Sequence, residues 1–397
     1  MVVAILASLS AGISAPVRGQ EFSPSVNDRV DDALVSASVV PEAGKNDGGL
    51  DLGVLISTAY DDNVFLSKTK PVSTAVFSIA PSIAYTKGDA KDGEGGFIQF
   101  AYRPTGVIYS NSQPDDRVDQ AAALKVGWRG KVSKITYTGA FAKLGDATAD
   151  TGQQTDRVEF SNEIRTAWTP REKLTFEVAA VGSQYDYKNP ALFDSSRTYA
   201  EIAVRYAYSP KTEVGMAYQI GRFDVDGASG QTTNQVTGSI DWKPREKIHV
   251  NLRAGVEHRD SGNGSLTEPV LQGRVDWTPR QGTNLYFTAY QRMVASAYYA
   301  GQTYQLKGVT AGFSQRLGSK ITARLDGGRE TTNYSDIPGS AGNGRNDAIW
   351  FVRPALEYQI NKECNVSLYY RASDNSSNAA GFGYRENITG LELNYVF

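Results

Sequence analysis

Three groupings in the sequence bring together side chains able to do chemistry. His258, Asp260 and Ser261 put a base, a carboxylate and a hydroxyl within four residues, the inventory of a hydrolase. Such a set works only when a rigid frame holds each group in reach of the next. These three are near neighbours in a Gly-rich stretch, RDSGNGS at 259–265, so no enzyme is expected. Asp61, Asp62 and Asn63 are hard oxygen donors of the kind calcium takes, and equally the makings of a polar turn, which is the expected reading. Cys364 is the single cysteine and His249 and His258 the only histidines, so neither a disulfide nor a cofactor or metal site is expected. The third grouping is the largest: acidic and basic residues that recur at every second position along most of the chain.

That recurrence defines the elements. In VEFSNEIRTAW, Val158, Phe160, Ile164 and Trp168 share one face, and Glu159, Glu163 and Arg165 the other. In IHVNLRAGVEH, Ile248, Val250, Leu252, Ala254 and Val256 alternate with His249, Asn251, Arg253 and Glu257. LQGRVDW and ITARLDG repeat the pattern, which is that of strands with one apolar and one polar face. Segments of about 9–13 residues of this kind occur about 18 times, long for soluble strands and right for a tilted bilayer crossing. The connections also alternate. WRGK, TPREK, SPKT, KPREK, TPRQG, LGSK and INKE are short, whereas LGDATADTGQQTD, YKNPALFDSS and YSDIPGSAGNGRND are long and polar. KGDAKDGEGG at 87–96 is the exception, long where a short turn is due.

Sorted loops and two-faced strands predict an all-β fold: a closed transmembrane antiparallel β-barrel of about 18 strands, within two, with short periplasmic turns and long extracellular loops. It belongs in the outer membrane of a Gram-negative bacterium, with both termini in the periplasm. A formal charge of −2 over 397 residues offers nucleic acid no bulk attraction, and no apolar run is long enough for a membrane helix. The apolar run Val2–Leu9, followed by small residues, reads as a signal peptide over 1–19. A polar periplasmic leader follows over 20–49, and the barrel occupies 50–397.

WTPREK at 168–173, WKPREK at 242–247 and WTPRQG at 277–282 repeat one phrase at the ends of alternate strands. Tryptophan suits the headgroup level, proline a tight turn, and the basic residues lipid phosphates. Trp128, Trp168, Tyr208, Trp242 and Trp277 therefore form a girdle at the short-turn rim, with Trp350 in the opposite girdle. Leu391, Leu393, Tyr395 and Phe397 share the lipid-facing parity and resemble the C-terminal signal that hands such barrels to the barrel assembly machinery.

About 16–18 strands enclose an aqueous channel rather than a packed core. The lumen parity carries Arg205, Arg274, Arg324, Arg353, Glu163, Glu201, Asp276 and Asp326, able to meet a passing polymer or to brace the wall in cross-strand pairs. Tyr199, Tyr286, Tyr290 and Tyr369 share that parity and offer either a sliding surface for sugars or packing for an inward-folded loop. AYDDNVFLS (59–67), followed by SIAPSIAYT (78–86), resembles the opening of the EpsL-like outer-membrane β-barrel porins associated with exopolysaccharide or capsule biosynthesis operons. The resemblance implies an exit channel for a secreted polysaccharide chain, working with a periplasmic polysaccharide-export protein, and supplies no catalytic residues. A general or substrate-specific uptake porin shares every architectural feature and is the alternative.

Overall fold

The structure, a computed structural model, describes residues 49–88, 93–111, 114–261, 264–334 and 344–397. The expected signal peptide and nearly all of the expected leader lie outside the described residues. The chain runs β1 (Gly49–Asp61), β2 (Thr74–Lys87), β3 (Gly95–Tyr109), β4 (Arg117–Arg129) and β5 (Ser133–Leu144). A two-residue ribbon, β6 (Ala147–Thr148) and β7 (Gln153–Gln154), interrupts the next connection. There follow β8 (Arg157–Arg171), β9 (Leu174–Tyr187), β10 (Ser195–Ser209), β11 (Thr212–Val225), β12 (Gln231–Arg245) and β13 (Ile248–Asp260). Then come β14 (Ser265–Arg280), β15 (Thr283–Ala295), β16 (Thr303–Leu317) and β17 (Ile321–Tyr334). The last three are β18 (Asn346–Gln359), β19 (Cys364–Ser377) and β20 (Tyr384–Val396).

Apart from the ribbon, each strand pairs antiparallel with the next, and β1 pairs back to β20 from Gly53↔Val396 to Asp61↔Ile388. The result is a closed barrel of 18 strands with no edge left open to lipid. Asp62 reinforces the closing seam: its carboxylate accepts the Asn387 N–H and side-chain amide, both at 2.7 Å. Asn63 adds a bond from its side-chain amide to the Arg385 carbonyl at 2.7 Å.

Period-two alternation is realised as two chemically distinct faces. Outward lie exposed Ile164, Val178, Ile202, Met216, Val256, Phe287 and Leu368, the band that lipid covers. Inward lie polar and charged residues such as Gln99, Glu159, Glu201, Glu257 and Glu330. Such an exterior on a closed barrel makes this a transmembrane protein of the Gram-negative outer membrane. The strands are 12 to 16 residues long, more than a bilayer crossing of about 9–11 needs. The excess lies mostly at the long-loop rim. There β19 runs on through Ser373–Ser377, six residues beyond the expected end, because polar residues continue the ladder without an apolar face to reveal it.

The Trp-x-Pro-Arg phrase has a different geometry from the expected turn after a strand end. β8, β12 and β14 run through it, and the ladder shifts register between Trp168 and Arg171, Trp242 and Arg245, and Trp277 and Arg280. The x residue turns its N–H to the preceding hairpin: Thr169 to the Val132 carbonyl at 2.7 Å, Lys243 to Lys211 and Thr278 to Lys247 at 2.8 Å. Proline sits in the bulge, where the ladder asks no donor of it.

Candidate functional site

The inward face of the wall is a lattice of ion pairs. Arg165 bonds Glu163 at 2.8 Å on its own strand, then Glu201 at 3.0 Å and Glu177 at 3.1 Å across neighbouring strands. Glu201 also takes Arg253 at 2.5 Å and Gln219 at 2.6 Å. Arg205 reaches Glu177 at 3.2 Å, Arg274 bonds Asp276 at 2.8 Å, and Arg324 bonds Glu357 at 3.0 Å. Arg353 lies 3.7 Å from Glu392. Every charged residue named for the lumen is therefore on the inner wall, and all but Asp326, which takes the Tyr286 hydroxyl, are in an ion pair there. The bracing geometry is the one realised.

The tyrosines are tied into the same lattice. Tyr286 gives its hydroxyl to Asp326 at 2.8 Å and carries the Arg274 guanidinium 5.0 Å above its ring. Tyr290 bonds Glu330 at 2.6 Å and packs against a buried cluster of Tyr304, Leu306 and Tyr334, beside Tyr299 from the inward-folded 296–302 loop. Tyr369 lies 4.6 Å under Arg353, and Tyr199 4.9 Å under Arg197. All four reach the inner face, with ring faces engaged by arginines or neighbouring side chains. A rule visible in the sequence explains much of this: charges of opposite sign two apart share a strand face. Arg157–Glu159, Glu163–Arg165, Glu257–Arg259, Arg274–Asp276 and Arg345–Asp347 all obey it.

Sequence reasoning did not find the feature that most shapes the lumen. The connection 145–156 folds inward and carries its tip across to β17 and β18. β17 is nine barrel strands beyond β8, half of the 18-stranded circuit. Thr148, Thr151 and Thr155 link hydroxyls at 2.7 and 3.1 Å and tighten the ribbon, with Gly152 at φ 63 closing its turn. At the tip Asp150, 3% exposed, accepts the Tyr334 hydroxyl at 2.6 Å, the Ala297 N–H at 2.7 Å and the Ser296 hydroxyl at 3.1 Å. Burial pushes the Asp150 carboxyl above its ordinary range, against the opposing pull of these donors.

Arg345 completes the latch. It donates to the Ala149 and Asp150 carbonyls, each at 2.9 Å, pairs with Asp347 at 2.5 Å, and lies between the rings of Phe382 and Tyr334 at 3.6 and 4.7 Å. Leu66, from the first long loop, packs with Ala149, Ile349 and Tyr384. It takes a left-handed φ of 55 to do so, a strain of about 1–2 kcal/mol that burial of its side chain offsets.

Between the crossing loop and the wall of β8–β15 lies a cavity with an empty volume of about 770 Å³, open to solvent. Arg157, Arg197, Arg259 and Arg292 line it, together with Glu159 and Asp150. The hydrolase grouping is not assembled. His258 faces outward with Nδ1 2.8 Å from the Thr267 hydroxyl, while Ser261 donates to the Gly264 carbonyl at 2.9 Å. Asp61, Asp62 and Asn63 form the polar turn, with Asp61 accepting the Asn63 N–H at 2.8 Å.

Trp128, Trp168, Tyr208, Trp242 and Trp277 stand exposed at the short-turn rim, and Trp350 near the other. Leu391, Leu393, Tyr395 and Phe397 keep the outward parity along the closing seam, and the Phe397 N–H donates to the Leu52 carbonyl at 2.9 Å.

With this geometry the chain is a closed, antiparallel outer-membrane β-barrel. Residues 258–397 match the family model described as "Putative beta-barrel porin 2". The comparison does not carry the EpsL-like resemblance further. No curated protein matches the chain. Among solved structures it is similar to the outer membrane protein opdK from Pseudomonas aeruginosa, with 11% identity, TM-score 0.49, and coverage of 88% of this chain and 98% of that one. Acinetobacter baumannii OccAB3 shows 9% identity and TM-score 0.48, covering 88% and 99%. OccAB4 from the same organism shows 13% and 0.47, covering 88% and 98%.

Proposed function

We propose that this barrel is a selective diffusion porin for hydrophilic solutes, with the crossing loop as its selectivity element. The observation that supports this is the latch itself. A barrel of 18 strands without an inward loop leaves a wide aqueous channel, and here the Asp150 tip docks on the far wall and narrows it. The paired charges of the wall hold both signs, so discrimination falls to the passage beside the loop rather than to bulk lumen charge. Purified barrel in planar bilayers should conduct in small steps, and liposome swelling should rank solutes by chemistry as well as by size. Large unselective steps from the wild type would overturn the selective reading.

The second reading, an exit channel for a secreted polysaccharide chain, rests on the EpsL-like resemblance and on one structural point. The loop is held at its tip by polar contacts, so it can swing aside while the barrel ladder stays whole. In that reading a periplasmic polysaccharide-export protein docks at the short-turn rim. A clean deletion strain separates the two. Lost surface polymer with intact synthesis and a filled periplasmic pool supports export; unchanged polymer with slowed growth on a limiting solute supports uptake.

A further inference from the structure

The cavity beside the crossing loop has a chemistry that the passage reading leaves unspecified. Its arginines come from four different strands: Arg157 at the start of β8, Arg197 on β10, Arg259 at the end of β13 and Arg292 on β15. Strand register brings all four to one height at the outer mouth. Two carboxylates, Glu159 and Asp150, share the lining with these four guanidiniums. Glu257, which pairs with both Arg259 and Arg197, stands behind them, 3% exposed and off the cavity wall. Four guanidiniums against two carboxylates leave the lining cationic on balance, with Glu257 alone set back.

The remaining lining is of a second kind. Ser183, Tyr185 and Tyr187 form an inward column on β9, joined by Ser195 on β10. Phe223 lies beneath the Arg259 guanidinium at 5.1 Å. Hydroxyls and guanidinium forks stand side by side, Arg157 opposite Tyr187 and Arg197 opposite Ser183 in the ladder, with Met293, Val294 and Ala295 completing the lining. Guanidinium recognises planar oxyanions bidentately, and hydroxyl-bearing walls suit polyols.

We propose that this cavity binds an acidic sugar unit, its carboxylate on Arg197 and Arg292, beside Arg259 held by Glu257 and the Met293 carbonyl, and its hydroxyls on the serine and tyrosine column. The proposal deepens the reading of the barrel as a passage for hydrophilic solutes and rests on it for its purpose. Arg157 is assigned to positioning, because it is bonded to Glu159 at 2.7 Å and Asp146 at 2.9 Å. The sugar could come from a polymer segment or from a free monomer, and the chemistry recognised is the same.

The test is calorimetric titration of the full-length barrel in detergent with trigalacturonate, its methyl ester and maltotriose. Trigalacturonate should bind at least about tenfold more tightly than its ester or maltotriose, because each lost charge-assisted contact is worth about that factor. Equal binding of the three, or binding of none, overturns the proposal without any variant being needed. Arg197→Gln combined with Arg292→Gln should remove the preference by about tenfold while heat-modifiability shows the barrel assembled; an unchanged preference in an assembled variant also overturns it. Comparing trigalacturonate with galacturonic acid separates the sources, a polymer giving the tighter trimer and a small solute giving equal affinities. Conductance in bilayers reports separately on the passage reading. A barrel that conducts selectively yet binds trigalacturonate no better than its ester loses only this inference, and one that binds without conducting loses only the passage.

Discussion

At the short-turn rim, the N–H groups of Thr169, Ala207, Lys243, Thr278, Arg316 and Gln359 each donate to a carbonyl in the preceding turn. At the opposite rim some such bonds recur, Lys188 to Asp156, Asp226 to Asp194 and Asn378 to Asn346, but the contacts that turn inward are made once: Asp150 to Tyr334, Arg345 to the Ala149 carbonyl, Leu66 into its cluster. One end of the barrel is a local motif repeated hairpin by hairpin. The other is a set of long-range contacts between loops far apart in sequence. Redundancy makes the first tolerant of single changes, and the second concentrates its docking on a few groups.

That contrast can be broken most severely at Asp150. Asp150→Ala removes the acceptor for Tyr334, Ala297 and Ser296, and should weaken loop docking by about 2–4 kcal/mol. The expected outcome is a severalfold rise in single-channel conductance with the barrel still heat-modifiable; unchanged conductance would separate the latch from the passage.

The pH dependence follows from the same carboxyl. Docked Asp150 holds its proton to higher pH than a solvated carboxyl, so docking takes up a proton. Docking is favoured fully below the ordinary carboxylate value of about 4, and that contribution is lost as pH rises through the raised value. Conductance should therefore be lower at acid than at neutral pH, and Asp150→Asn should flatten the profile.

Smaller effects sharpen the comparison. Asp62→Ala takes two bonds from the β1–β20 seam and should lower stability by about 1–2 kcal/mol, read as an earlier urea midpoint. Pro244→Ala should be the mildest, within about 0.5 kcal/mol, because the bulge between Trp242 and Arg245 makes no use of a donor there. A loss well beyond that would mean the proline sets the bulge rather than merely fitting it.

The same division explains what could be read from residues alone. Strand number, facing and girdles are written in period-two alternation and in a repeated phrase, both local signals, and β5 falls at Ser133–Leu144, the expected limits. The wall charges lie on the inner face, and the cross-strand pairing expected as one of two readings occurs in Arg165–Glu201 and Arg324–Glu357, beside pairs two apart on one strand such as Arg274–Asp276. The crossing loop was visible as a long polar connection, LGDATADTGQQTD, but its direction was not. That direction depends on Asp150 meeting Tyr334 and Arg345, 184 and 195 residues away, and no periodicity encodes such a meeting. Likewise the cavity arginines are unremarkable singly on β8, β10, β13 and β15, and gain meaning only when register sets them at one height.

Half a circumference separates the root of the crossing loop from its landing point. The loop thus acts as a spoke, and a spoke has a fixed length. Gaining or losing a hairpin would leave the repetitive rim as comfortable as before, yet it would change the girth and carry Tyr334 and Arg345 away from the tip of the loop. In this barrel the gain of a hairpin is held in check from inside the lumen: circumference and connection 145–156 are tied to each other.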